Sequence, residues 1–262
     1  MTIPFTTEPL FPEEVQRQVA RMAALDTAEM GRLLHVNPKL AAQNCLRYHD
    51  FYSETNRPLP ALLSYTGMVF KRIAPQDFTA DDFAFAQKHL RITSFLYGLV
   101  RPLDLIRNYR LEGSVPAEEG SRETIFEHWR PRLTECFIHQ IQEQGGILVN
   151  LASAEMKDLF HWKEVESSVR VITPEFYTLK NGKPTTVVVY AKMCRGEMTR
   201  FIIRNRIEDP EQLKAFTWEG FTYHPELSEG DRLVFYPKKK LREVLFHYPH
   251  NDSVHCPYPK SP

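Results

Sequence analysis

The stretch HLRITSFLYGLVRPLDLIRNYRLE, His89–Glu112, decides how this chain is read. It reads as the end of one helix, a tight turn and the start of a second helix. Upstream, Thr79 and Asp82 have the spacing of a capping box, and Phe78 with Phe83 that of a hydrophobic staple. Phe83, Ala86 and Leu90 fall on one helical stripe. Gly98 suits the left-handed residue that closes a helix. Pro102 suits a first helical position, which has no use for an N–H. Leu103, Ile106 and Tyr109 then face a core from the second helix.

Between Lys88 and Arg110, five basic residues, Lys88, Arg91, Arg101, Arg107 and Arg110, stand against one acid, Asp104. Free N–H groups at a helix start beside Arg101 make phosphate a natural ligand. The alternative is an ordinary helical corner with solvated charges.

Working outward, 262 residues with 42% hydrophobic and 12% aromatic content are enough to bury a sizeable core. Lys+Arg and Asp+Glu balance at 33 each, which excludes a whole-protein field drawing the chain to nucleic acid or membrane. The balance hides two basic islands, 88–110 and 189–206, each with five basic residues and one acid, which leave 23 basic and 31 acidic residues elsewhere. The four cysteines, Cys45, Cys136, Cys194 and Cys256, lie far apart with no C-x-x-C pair. That argues against a zinc ribbon or disulfide scaffold and fits a reducing cytoplasm. With no secretory signal and no apolar run of membrane length, the expectation is a cytoplasmic protein without a membrane partner.

The start of the chain reads as three helices, one near 12–24, a second from Thr27 with Met30, Leu33 and Leu34 apolar, and a third near 38–52. Ala61–Phe70 reads as a strand or irregular buried segment. A long helix over 122–144 contains Pro131, which is expected to kink or split it. A β-rich part follows, with Asn181-Gly182 as a hairpin turn and TTVVVYAK, Thr185–Lys192, as its strongest strand. A helix over 196–206, another opened by Asp209-Pro210, and a hairpin of Phe221–Tyr223 with Leu233–Tyr236 complete it. The class expected is α+β: a single domain over 1–236, a mixed sheet flanked by helices, with a weakly ordered basic and proline-rich tail over 237–262.

The second island, YAKMCRGEMTRFIIRNR at Tyr190–Arg206, is read as leaving a strand and entering a helix through Arg195-Gly196. Ligands gather where free backbone N–H groups mark such ends, so Lys192, Arg195 and Arg200 are candidates to line an anionic-ligand cleft. The competing reading is surface ion pairs. Glu155, in NLASAE, and Glu197 are the candidate general bases if a reaction is catalysed. No phosphate loop, dinucleotide fingerprint, zinc-protease or nucleophile-elbow motif is present in the sequence. His247, His250, His255 and Cys256 have irregular spacing, so no metal or other cofactor is expected.

Four blocks carry a family resemblance: YTG at Tyr65–Gly67, FAQKHLRITSFLYGLVRPLDLIRNYRLE at Phe85–Glu112, NLASAE at Asn150–Glu155 and YAKMCRGEMTRFIIRNR at Tyr190–Arg206. In this order and spacing the chain resembles the YaaA family of peroxide-stress proteins. The resemblance implies a cytosolic DNA-binding protein that limits iron-driven oxidative damage. It also implies a positively charged cleft and a helix-hairpin-helix-like element, falling on Tyr97–Pro102. Lys88, Arg91, Tyr97, Gly98, Arg101, Pro102, Arg110, Lys192, Arg195 and Arg200 are the DNA- or anion-binding candidates. The family usually opens with a short strand and a Ser-x-Ala-Lys-Thr segment that is not found here, and Gly98-Leu99-Val100 supplies one glycine where G-x-G has two. The alternative is an enzyme acting on a nucleotide or small anion in the same cleft.

Overall fold

The structure, a computed structural model, describes residues 2–180 and 183–237. The chain folds as two compact units: Met1–Tyr65 with Pro75–Val171, and Thr66–Ala74 with the chain from Ile172 onward. Helices and a mixed sheet place it in the α+β class, as expected.

The first unit opens with α1 (Pro12–Ala23), α2 (Thr27–Leu34) and α3 (Pro38–His49). Proline begins α1, and Asp26 with Glu29 forms a reciprocal capping box on α2. Val15, Val19 and Met22 are the buried apolar face of α1. The segment Ala61–Phe70 is not a strand. It holds the short helices α4 (Ala61–Ser64) and α5 (Met68–Ile73), the latter in the second unit, and is preceded by β1 (Leu59–Pro60). The capping box before α6 (Ala80–His89) forms as read, Thr79 with Asp82, and the Phe78 and Phe83 rings meet edge to face at 5.7 Å.

The second helix after Gly98 does not exist. Ile92–Ser94 (β2) and Gly98–Val100 (β3) form an antiparallel hairpin, and Leu105–Ile106 (β4) pairs with β1. The helix-hairpin-helix reading of Tyr97–Pro102 is therefore corrected. The reason lies in where the backbone donors go. Tyr97 N–H donates to Ser94 Oγ (2.9 Å), Arg101 N–H to Asp104 Oδ2 (2.7 Å), Leu103 N–H to Gln87 Oε1 (2.7 Å) and Arg107 N–H to Tyr97 Oη (2.8 Å). A helix would have to break these bonds, several of them buried, where an unpaired donor is expensive. Gly98 does take a positive φ, +73°, but inside the hairpin, where the Trp129 ring leaves no room for a Cβ.

Helix α7 (Ile125–Glu143) is opened by a Thr124–Glu127 capping box and buries Trp129, Leu133, Phe137 and Ile141. Pro131 lies within it and does not split it. β5 (Ile147–Val149) and α8 (Trp162–Ser168) lead to β6 (Arg170–Phe176).

In the second unit, β7 (Thr178–Lys180) and β8 (Lys183–Thr185) pair antiparallel with Lys180 opposite Lys183, so the hairpin is as read, while Asn181-Gly182 lies outside the described residues. The strand expected over Thr185–Lys192 ends at Thr185, and Val188–Arg204 is one helix, α9. Val187, Val188 and Val189 are 36%, 62% and 41% exposed, without the alternation a half-buried strand requires. Burial falls instead on Ala191, Cys194 and Met198, a helical spacing. β10 (Arg232–Pro237) runs parallel to β6, Phe235 beside Phe176, and antiparallel to β9 (Phe221–Tyr223), Phe235 beside Tyr223. Phe176, Phe216 and Phe235 pack on one another there. The segment after Asp209 is a 3-10 turn, Pro210–Ala215, with the Asp209 side chain accepting from Glu211 N–H. The tail from Lys238, with His247, His250, His255 and Cys256, lies outside the described residues.

Candidate anion-binding residues

In the second unit the site is built on the crossing of α5 and α9. A Cβ at Gly196 would lie 2.3 Å from the Val69 carbonyl oxygen and 2.6 Å from Arg72 Cβ, so only glycine lets the two helices approach this closely. Arg200 Nη1 donates to the Ile73 and Ala74 carbonyls at 3.0 Å each, satisfying acceptors that the end of α5 leaves open. Arg72 pairs with Glu197 at 3.6 Å and lies over the Trp218 ring at 5.3 Å. Lys192 is exposed on α9.

Arg195 differs from these neighbours. Burial holds its guanidinium below the ordinary arginine range. No carboxylate or carbonyl among the described residues accepts from it. A cation stripped of part of its water and given no counter-ion is stabilised by an incoming anion. The backbone N–H groups of Arg195 and Gly196 lie inside α9, so the free strand-end donors expected at this point are absent and only the side chain remains as a candidate anion ligand.

Burial raises the Glu197 carboxyl above its ordinary value of 4.5, while Arg72 and then Arg200 pull it down. A raised acid binds more protons folded than unfolded across that window. Its contribution to stability is thus full at acid pH and is lost as pH rises past the ordinary value. Replacing Glu197 by glutamine is expected to flatten that decline, as read by chemical denaturation between pH 4 and 8. A decline as steep in the variant would assign it to other groups. Glu155, the other candidate base, is exposed in the 3-10 turn Ala154–Leu159, and Asn150 is occupied in accepting from Ala152 N–H.

In the first unit most of the first island is committed to the fold. Arg101 is bound to the Asp104 carboxylate through Nη2 (2.9 Å) and Nε (3.1 Å), and it also reaches the Glu8 carbonyl (3.2 Å). Asp104 has no exposed side-chain surface and also accepts from Thr7 Oγ1 at 2.6 Å. Arg91 donates to Gln140 Oε1 and to the Lys88 and Leu90 carbonyls at the end of α6. Its pKa is lowered first by burial and then by the like charge of Arg101. Arg110 pairs with Glu112 at 3.0 Å. Tyr97, Gly98 and Pro102 are buried, and Lys88 is exposed. Sequence reading missed Asp104 as an anchor and Gly196 as a contact residue. A lone acid among five bases, and a glycine in the middle of a helical stripe, were the signals.

Among the described residues no group of three His, Cys, Asp or Glu side chains could hold a metal ion, and no helix is long and apolar enough to cross a membrane.

Residues 1–227 match the family model described as "Peroxide stress protein YaaA". A UPF0246 protein of Bacteroides thetaiotaomicron is 57% identical over 233 residues, covering 89% of this chain and 91% of that protein. One from Phocaeicola vulgatus is 58% identical over 235 residues, covering 90% and 92%. A third, from Porphyromonas gingivalis, is 44% identical over 231 residues, covering 88% and 90%. With the four sequence blocks lying within that match, the chain belongs to the YaaA family of peroxide stress proteins.

Proposed function

We propose that this chain acts in the peroxide response by holding DNA through its phosphate backbone, without reading sequence, and so keeps it from iron-driven oxidation. The observation that supports this most is Arg195: partly desolvated, unpaired among the described residues, and on the same helix as exposed Lys192. Phosphate contacts of this kind position a protein on a duplex and carry no base information. The formal net charge of +0 leaves no general attraction, so affinity rests on a few cations and is modest. Lys88 and the outer edges of Arg91, Arg101 and Arg110 are the first unit's candidates, though three of them already serve the fold.

A mobility-shift titration tests this. Arg195→Glu together with Lys192→Glu is expected to weaken duplex binding by about tenfold or more, because two attractions become repulsions. Both side chains reach the surface, so the variant is expected to fold. Wild-type affinity in that variant would reject the reading.

A further inference from the structure

The irregular segment 107–110 in the first unit is held in place by phenols. Tyr48 Oη donates to the Arg110 carbonyl (2.7 Å), and Tyr97 Oη accepts from Arg107 N–H (2.8 Å). Between them, Tyr109 Oη bonds Ser94 Oγ (2.7 Å) and Tyr65 Oη (3.3 Å). Burial raises the Tyr48, Tyr65 and Tyr97 phenols, so all three stay protonated and neutral. This leaves a segment braced by neutral groups and carrying two guanidiniums.

Those guanidiniums are incompletely satisfied. Arg107 Nε and Arg110 Nε have no hydrogen-bond partner and are shut off from solvent, so a ligand could meet only the outer Nη edge of each guanidinium. Glu112 meets Arg110 at Nη2 (3.0 Å), and no carboxylate among the described residues pairs with Arg107. Arg107 lies instead over the ring of Tyr52, 5.7 Å from its centroid. Tyr52 is 58% exposed, and the Phe51 ring meets it edge to face at 5.1 Å. An exposed aromatic ring with an arginine over it that no carboxylate among the described residues pairs with matches what a nucleotide offers: a flat base to stack and an anionic phosphate.

We propose that Tyr52 and Arg107 form a nucleotide site, in which the base stacks on Tyr52 and the phosphate takes the guanidinium of Arg107, with Arg110 adding charge. The ligand is a nucleoside phosphate, either free or as an unpaired nucleotide of a single strand. A paired duplex does not meet this description, because its bases are already stacked and its outer face is phosphate. The site deepens the DNA reading but does not depend on α9.

Calorimetric titration with dAMP, adenosine and inorganic phosphate, and anisotropy with labelled oligo(dT) and a short duplex, test it on the full chain. Wild type is expected to bind dAMP more tightly than either of its parts. Tyr52→Ala is expected to weaken dAMP and oligo(dT) by about tenfold, Tyr52→Phe to restore them, and Arg107→Gln to weaken dAMP while leaving adenosine unchanged. Duplex affinity is expected to stay within twofold of wild type in all three variants. Competition between dAMP and oligo(dT) would show one site serving both sources, and binding of only one of them would identify the source. Absence of dAMP and oligo(dT) binding in wild type, or affinities unmoved by Tyr52→Ala and Arg107→Gln, overturns the proposal. If dAMP binds and duplex does not, the nucleotide site stands and the duplex reading fails.

Discussion

Replacing Asp104 by leucine is expected to destabilise the protein by about 3–5 kcal/mol, the usual cost of stranding one partner of a buried ion pair. The carboxylate has no exposed surface and accepts from Thr7 Oγ1, Arg101 N–H and the Arg101 guanidinium. Its own backbone carbonyl accepts from Ala61 N–H at 2.8 Å. Leucine would leave the 29%-exposed Arg101 guanidinium without its counter-charge and the Arg101 N–H without an acceptor. Thermal unfolding followed by circular dichroism is the readout, with a fall of about 10 °C or more expected for a chain of this size. The double variant Arg101→Leu/Asp104→Leu is expected to recover much of the loss, because it strands no charge. A loss below about 1 kcal/mol in the single variant would mean that the pair is exchanged with solvent and is not an anchor.

The second large effect has a sign that separates two arguments. Alanine is a better helix former than glycine by about 1 kcal/mol, so propensity alone has Gly196→Ala stabilise α9. The close approach of α5 has the opposite consequence. The new Cβ would meet the Val69 carbonyl oxygen at 2.3 Å, a backbone atom that cannot swing aside. Overpacking of this kind typically costs about 1–3 kcal/mol, and Gly196→Ala is expected at the upper end of that range. Denaturant unfolding decides: a stabilised variant would show that α5 and α9 part without penalty.

Local signals were legible where short-range chemistry sets the structure. The Thr79–Asp82 capping box, the Phe78–Phe83 staple, the three opening helices and the final hairpin each follow from residues three to five apart or from a simple alternation. Two readings failed for tertiary reasons. In LYGLVRPLDL, glycine and proline at helix-like spacing suggested a second helix, yet the N–H groups are taken by Ser94, Gln87, Tyr97 and Asp104. None of those partners can be inferred from the spacing of apolar residues. In TTVVVYAK, β-branched residues suggested a strand, but Ala191, Cys194, Gly196 and Met198 form the buried stripe, and packing on α5 overrides propensity. Of the candidate site, the two basic islands were plain in the sequence. Which arginines are already occupied was not: Arg101 by Asp104, Arg200 by the end of α5, Arg91 by the end of α6. Only coordinates distinguish them from Arg195.

The proposed function rests on a small number of cations, Arg195 foremost, holding a phosphate backbone. The logarithmic slope of duplex affinity against salt counts such contacts, falling by about 0.9 for each phosphate neutralised. Measured on wild type and on Arg195→Gln, the slope is expected to be shallow in wild type and to become shallower by about one in the variant. A slope and an affinity that Arg195→Gln leaves unchanged would contradict the account.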